Sequence, residues 1–133
     1  LGRQLAGRRL SPATVRRMAK ALGPYTPAVR AGDFIFVSGQ LGLGDNGLAE
    51  GGVAGQTAVA IENLKATLAS VGAELTDVVK TTCFLVDMDA FATFNTAYTA
   101  GFGGHRPARS TIAVRELPAG GQVEIEAVAY RPA

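Results

Sequence analysis

Within residues 53–71, Ile61, Leu64, Leu68 and Val71 recur at helical spacing, while the segments on either side follow the two-residue period of strands. That switch of period constrains the fold most, because it calls for helices laid on a sheet. Gly72 stands where a left-handed cap would end the helix. Strands are expected at 28–31, at 34–38 with Gly39 closing it, at 78–86, at 109–115 and at 122–130. The glycine-rich stretch 42–52, centred on Asp45-Asn46-Gly47, reads as a loop. Asp87 or Asp89 can cap a second helix, along which Phe91, Phe94, Tyr98 and Phe102 form one stripe. The expected class is α+β: one sheet with both helices on one face.

The last two strands extend this expectation to the faces. Val123, Ile125, Ala127 and Ala129 share one side, suited to lie under the helices, and Glu124 and Glu126 point the other way. In 109–115 the same alternation separates Ser110, Ile112 and Val114 from Arg109, Thr111, Ala113 and Arg115. Arg109 and Glu124 are therefore both expected on the face away from the helices, on strands that lie close together.

Charge divides the chain. Residues 1–20 carry six bases and no acid, and the remainder carries seven bases against eleven acids. Such an arm can hold nucleic acid or anionic lipid, but it lacks the aromatic residues on which bases stack, so a solvated tail is the simpler expectation. Residues 1–22 are expected as a basic arm, in part disordered, and 23–133 as one domain. No apolar run approaches the length of a membrane span, and no apolar stretch of signal-peptide type follows the first arginines; a cytoplasmic protein is expected. Cys83 is the single cysteine, so no intrachain disulfide forms, and its apolar strand neighbours mark it as a packing residue.

Common catalytic patterns fail in turn. Gly42-Leu43-Gly44 lacks the rest of a phosphate-binding loop. His105, the one histidine, lies in an apparent loop beside Gly103-Gly104 and reads as a surface residue. What remains is Arg109 with Glu124. A guanidinium fork fixed on a strand suits bidentate capture of a carboxylate, and a nearby glutamate suits activation of a water. The pattern alone favours the plainer alternative, a cross-strand salt bridge.

From about Leu22 to its end the chain resembles the RidA (YjgF) family. The resemblance rests on Gly23-Pro24-Tyr25, on the run from Gly32 to Gln40, on Asn63-Leu64-Lys65 and on Val78-Val79-Lys80-Thr81-Thr82. It continues through Phe91-Ala92-Thr93-Phe94-Asn95, Arg106-Pro107-Ala108-Arg109-Ser110, Leu117-Pro118 and Val123-Glu124-Ile125-Glu126-Ala127. It implies a chorismate-mutase-like fold of the bacillary type, one mixed sheet under two helices, assembled as a homotrimer with clefts between subunits. It further implies hydrolysis of reactive 2-imino and enamine acids to 2-keto acids, a form of metabolite damage control that protects pyridoxal-phosphate enzymes, with no metal or organic cofactor. Arg109 and Glu124 are the catalytic residues it implies, and Tyr25, Ser38, Asn95 and Thr111 line the cleft. Thr111 stands where the family often carries cysteine. Two other functions compete: non-catalytic binding of small carboxylates, and ribonuclease or translation-inhibitor activity supported by the Arg-rich start.

Overall fold

The structure, a computed structural model, describes residues 23–133 and, before them, the backbone of a short antiparallel pair, Gln4–Leu5 with Arg8–Arg9. The rest of the expected basic arm over 1–22 lies outside the described residues.

The main sheet contains β1 (Ala28–Ala31), β2 (Phe34–Leu41), β5 (Val78–Leu85), β6 (Ala108–Ala113) and β7 (Val123–Tyr130). A separate hairpin joins β3 (Leu43–Gly44) to β4 (Gly47–Leu48), and the helices are α1 (Gly52–Ser70) and α2 (Phe91–Phe102). The order across the sheet is β1-β2-β7-β5-β6. All neighbours are antiparallel except β5 and β6. A parallel pair needs a long crossover, and α2 supplies it. The mixed sheet and two helices agree with the expected α+β class.

Helix α1 ends as its sequence predicts. Gly72 adopts φ 84, its N–H donates to the Ala69 carbonyl, and the Ala73 N–H donates to that of Leu68. This pair of bonds closes the last turn and satisfies carbonyls the helix itself leaves free. At the start of α2, the Asp87 carboxylate accepts from the Asp89 N–H and caps a short 3-10 turn, Met88–Ala90, that leads into the helix.

Ile61, Leu64 and Leu68 of α1 and Phe94 of α2 are buried against Ile35, Cys83, Leu85 and Ile125 of the sheet. The alternation in β7 falls as predicted, with Val123, Ile125, Ala127 and Ala129 buried. Two polar side chains fasten α1 to strand ends. Gln56 accepts from the Gln122 N–H at 2.8 Å, and Asn63 donates to the Leu41 and Leu43 carbonyls at 3.0 and 2.9 Å.

Two expectations need correction. Gly39 does not close β2, which runs on to Leu41. The register against β7 slips by one residue between Val37 and Gln40, so Ser38-Gly39 forms a bulge and the pairing resumes beyond it. The stretch 42–52 is also more than a loop, since its centre folds into the β3–β4 hairpin.

Candidate active site

The larger correction concerns Arg109. It was expected on the same face as Glu124, away from the helices, and it lies on the helix face. Strand β6 runs parallel to β5 with Arg109 opposite Thr81 and Thr111 opposite Cys83. Thr81 and Cys83 are buried beneath α2, so Arg109 and Thr111 share that side. The outer side of β6 carries Ser110, whose hydroxyl accepts from Lys80 at 3.0 Å, and the exposed Ile112. Alternating polarity does not fix the face here, because an apolar residue on an edge strand need not face the core, and an arginine can lie on apolar rings through its stem and flat guanidinium.

Those rings come from α2. The Arg109 guanidinium carbon stands 4.9 Å from the ring centre of Tyr98, 5.5 Å from Phe94 and 5.6 Å from Phe91. No salt bridge joins Arg109 to a carboxylate among the described residues, where the ion pairs are Lys65 with Glu62 and Arg131 with Glu74 and Asp77. The anticipated bridge to Glu124 does not form within the chain. Beside the guanidinium opens a hollow of about 350 Å³ whose lining includes Asn95, Thr99, His105 and Arg106. Asn95 Oδ1 and Thr111 Oγ1 are the buried side-chain oxygens that lack a hydrogen-bond partner among the described residues. An orphaned buried acceptor costs about 1–3 kcal/mol, and neither atom has a partner among the described residues.

Glu124 occupies the opposite face. It pairs with Phe84 across the β5–β7 ladder, and its side chain lies over Gly39 in the bulge of β2. A Cβ at this position would stand 2.6 Å from Glu124 Oε2 and 2.7 Å from Cδ, so any larger residue must displace the glutamate side chain. Burial, and then the charge of Glu126, push the Glu124 carboxyl above the ordinary glutamate range. Ser38, in the same bulge, donates through its hydroxyl to the Thr26 carbonyl at 2.7 Å and through its N–H to that of Pro27. This ties the segment carrying Tyr25 to the bulge; the Tyr25 ring is exposed.

The six anticipated site residues thus fall into two groups. Arg109, Asn95 and Thr111 lie on the helix side at the β6 edge, and Ser38 and Glu124, with the Tyr25 segment, gather at the bulge. His105 is not the surface residue expected, for it is half-buried and its Nε2–H donates to the Val78 carbonyl at 2.7 Å. Cys83 is fully buried, and burial pushes its thiol up to about 11, as befits a packing residue. Among the described residues no group of three or more His, Cys, Asp or Glu could hold a metal, and no helix is long and apolar enough to cross a membrane.

Sheet, helices and hollow define an α+β chain with an arginine-walled cleft at a sheet edge. A family model described as endoribonuclease L-PSP matches residues 15–131, and the chain belongs to that family, the RidA or YjgF family. The mouse protein named 2-iminobutanoate/2-iminopropanoate deaminase is 43% identical over 113 residues, which cover 84% of each chain. The crystal structure of RidA from an Antarctic Psychrobacter superposes with a TM-score of 0.79 at 39% identity, covering 84% of this chain and 91% of that one. That of TdcF from E. coli with bound serine gives 0.78 at 36% identity, with the same coverage.

Proposed function

We propose that the protein hydrolyses 2-imino acids and their enamine tautomers, such as 2-iminopropanoate and 2-iminobutanoate, to 2-keto acids and ammonia. It does so as a homotrimer of chorismate-mutase-like subunits. Arg109, Asn95 and Thr111 of one protomer meet Tyr25, Ser38 and Glu124 of the next. The observation that carries this reading is Arg109, a guanidinium held on aromatic rings with no acidic partner among the described residues and two orphaned acceptors nearby. The mouse relative's name supports this substrate class, and the serine in TdcF is a small molecule with the carboxylate that an arginine fork matches.

The outer sheet face supports assembly. Phe34, Phe36, Ile112 and Tyr130 are exposed on it, and the rings of Phe34 and Tyr130 meet edge to face at 5.2 Å. Apolar area of this kind is stabilised by burial against another copy. Two half-sites on opposite faces of one sheet need such a copy to close on one substrate.

Arg109 grips the substrate carboxylate and fixes C2. Glu124, whose proton affinity is raised, takes a proton from a water as the oxygen bonds to C2 of the protonated imine, which gives the neutral carbinolamine. Glu124 then returns that proton to the nitrogen, C2–N breaks as the hydroxyl oxygen forms C2=O, and ammonia leaves while the hydroxyl proton passes to solvent. Proton transfer of this kind contributes on the order of 10²–10⁴-fold. No metal or organic cofactor takes part in this scheme.

The test generates 2-iminobutanoate with a serine/threonine dehydratase. Catalytic amounts of the protein are expected to shorten the imine's lifetime, with keto acid and ammonia appearing together. An unaltered lifetime alongside saturable binding of 2-oxobutanoate would replace hydrolysis with ligand carriage.

Two variants separate chemistry from folding. Glu124→Gln is expected to lower kcat by on the order of 100-fold or more. The same change should raise the thermal midpoint at pH 7. A carboxyl whose pKa rises on folding opposes folding above its folded pKa, and that opposition fades as pH falls through the folded value to the unfolded one, near 4.3. Midpoints measured from pH 7 to pH 3.5 should therefore converge in acid. Gly39→Ala pushes the flexible Glu124 side chain aside. A displacement of about 1 Å at a reacting group costs on the order of 10²-fold in rate, so kcat should fall far more than the midpoint, which is expected to move only a few degrees.

A further inference from the structure

The geometry points to Phe91, with Tyr98 and Phe94, as the positioning residues that hold Arg109 for carboxylate capture. This inference rests on the proposed function and adds residues to it. The three ring centres lie within 5.6 Å of the guanidinium carbon and all belong to α2. One ring is itself fixed, since the Tyr98 hydroxyl and Thr81 Oγ1 share a hydrogen bond of 2.7 Å, and Thr81 lies opposite Arg109 in the β5–β6 ladder. The strand that carries the arginine and the helix that carries the rings are thereby tied at one point.

The choice of rings has a chemical reason. A carboxylate partner would hold a guanidinium equally still, but it would occupy the N–H edge that a substrate carboxylate needs. Aromatic faces attract the cation through the ring quadrupole and accept none of its five N–H bonds, so the fork stays unspent. Such contacts strengthen as water is excluded from around the cation. Phe91 suits a test because the residue is 39% exposed, whereas Phe94 is fully buried and belongs to the core.

The experiment titrates 2-oxobutanoate into the purified full chain by calorimetry, alongside steady-state kinetics with 2-iminobutanoate. Phe91→Leu is expected to weaken 2-oxobutanoate binding and raise KM by about tenfold, with kcat within about twofold, because the anchor acts equally on ground and transition states. Phe91→Tyr, which keeps the ring, is expected to restore both. A merely structural role would move the thermal midpoint without this split or rescue, and if Phe91→Leu folds poorly, Phe91→Met carries the same test. Unchanged affinity in the non-aromatic variants overturns the positioning role and leaves hydrolysis standing. Equal binding of 2-oxobutanoate by wild type and Arg109→Lys overturns both.

Discussion

Arg109→Lys is expected to remove nearly all acceleration of imine hydrolysis, at least about a hundredfold in kcat/KM, while the chain stays folded. Lysine keeps the positive charge but presents a compact ammonium, which can neither bond a carboxylate through two parallel N–H groups nor lie flat on the rings of Phe91 and Tyr98. Capture then loses orientation more than attraction, and a poorly oriented C2 lies off the path of the attacking water. Undiminished hydrolysis by this variant would sink the proposed site. A second measurement separates one shared site from two unrelated ones. When Arg109→Lys and Glu124→Gln protomers are unfolded together and refolded, about one site in four of the proposed trimer would join an intact arginine to an intact glutamate. Activity should rise to about a quarter of wild type from two nearly inactive parents, and no rise is expected if both residues act within one chain.

Phe94→Ala is expected to cost the most stability, about 3–5 kcal/mol. The ring is fully buried, packs 5.5 Å from Tyr98 at a tilt of 53°, and fills the space between α2 and the sheet. Against the roughly 5–15 kcal/mol that holds a domain of this size together, such a loss leaves little margin. The thermal midpoint should drop by roughly 10–20 °C, read by circular dichroism at fixed protein concentration because the proposed assembly would also contribute. Leu64→Ala, equally buried but on α1, serves as a control that leaves the floor of Arg109 in place.

Local patterns were legible in the sequence and pairings were not. The period of Ile61, Leu64 and Leu68, the glycine at 72 and the alternation from Val123 to Ala129 each reflect forces acting within one element, and all three appear in the structure as read. The side taken by Arg109 depends on which strand lies beside β6 and in which direction. That is a tertiary fact, and the parallel register with Thr81 and Cys83 settled it against the polarity pattern. The bulge at Ser38-Gly39 was hidden for a similar reason, since glycine reads as a stop unless the glutamate lying over it is known. Phe91, Phe94 and Tyr98 were legible as a buried stripe but not as a seat for a cation, because nothing in their spacing names the strand they cover. The motifs pointed to the right family, and Arg109 and Glu124 lie on opposite faces of the sheet where one face was expected.

Cys83 has a practical consequence. It is the chain's only thiol, fully buried and held in its unreactive form with a pKa of about 11. Thiol-directed reagents therefore find no ready thiol on the folded surface. A cysteine introduced at an exposed position such as Thr96 would become the sole attachment point for a maleimide dye, which gives a spectroscopist a uniquely addressable frame without first deleting anything native.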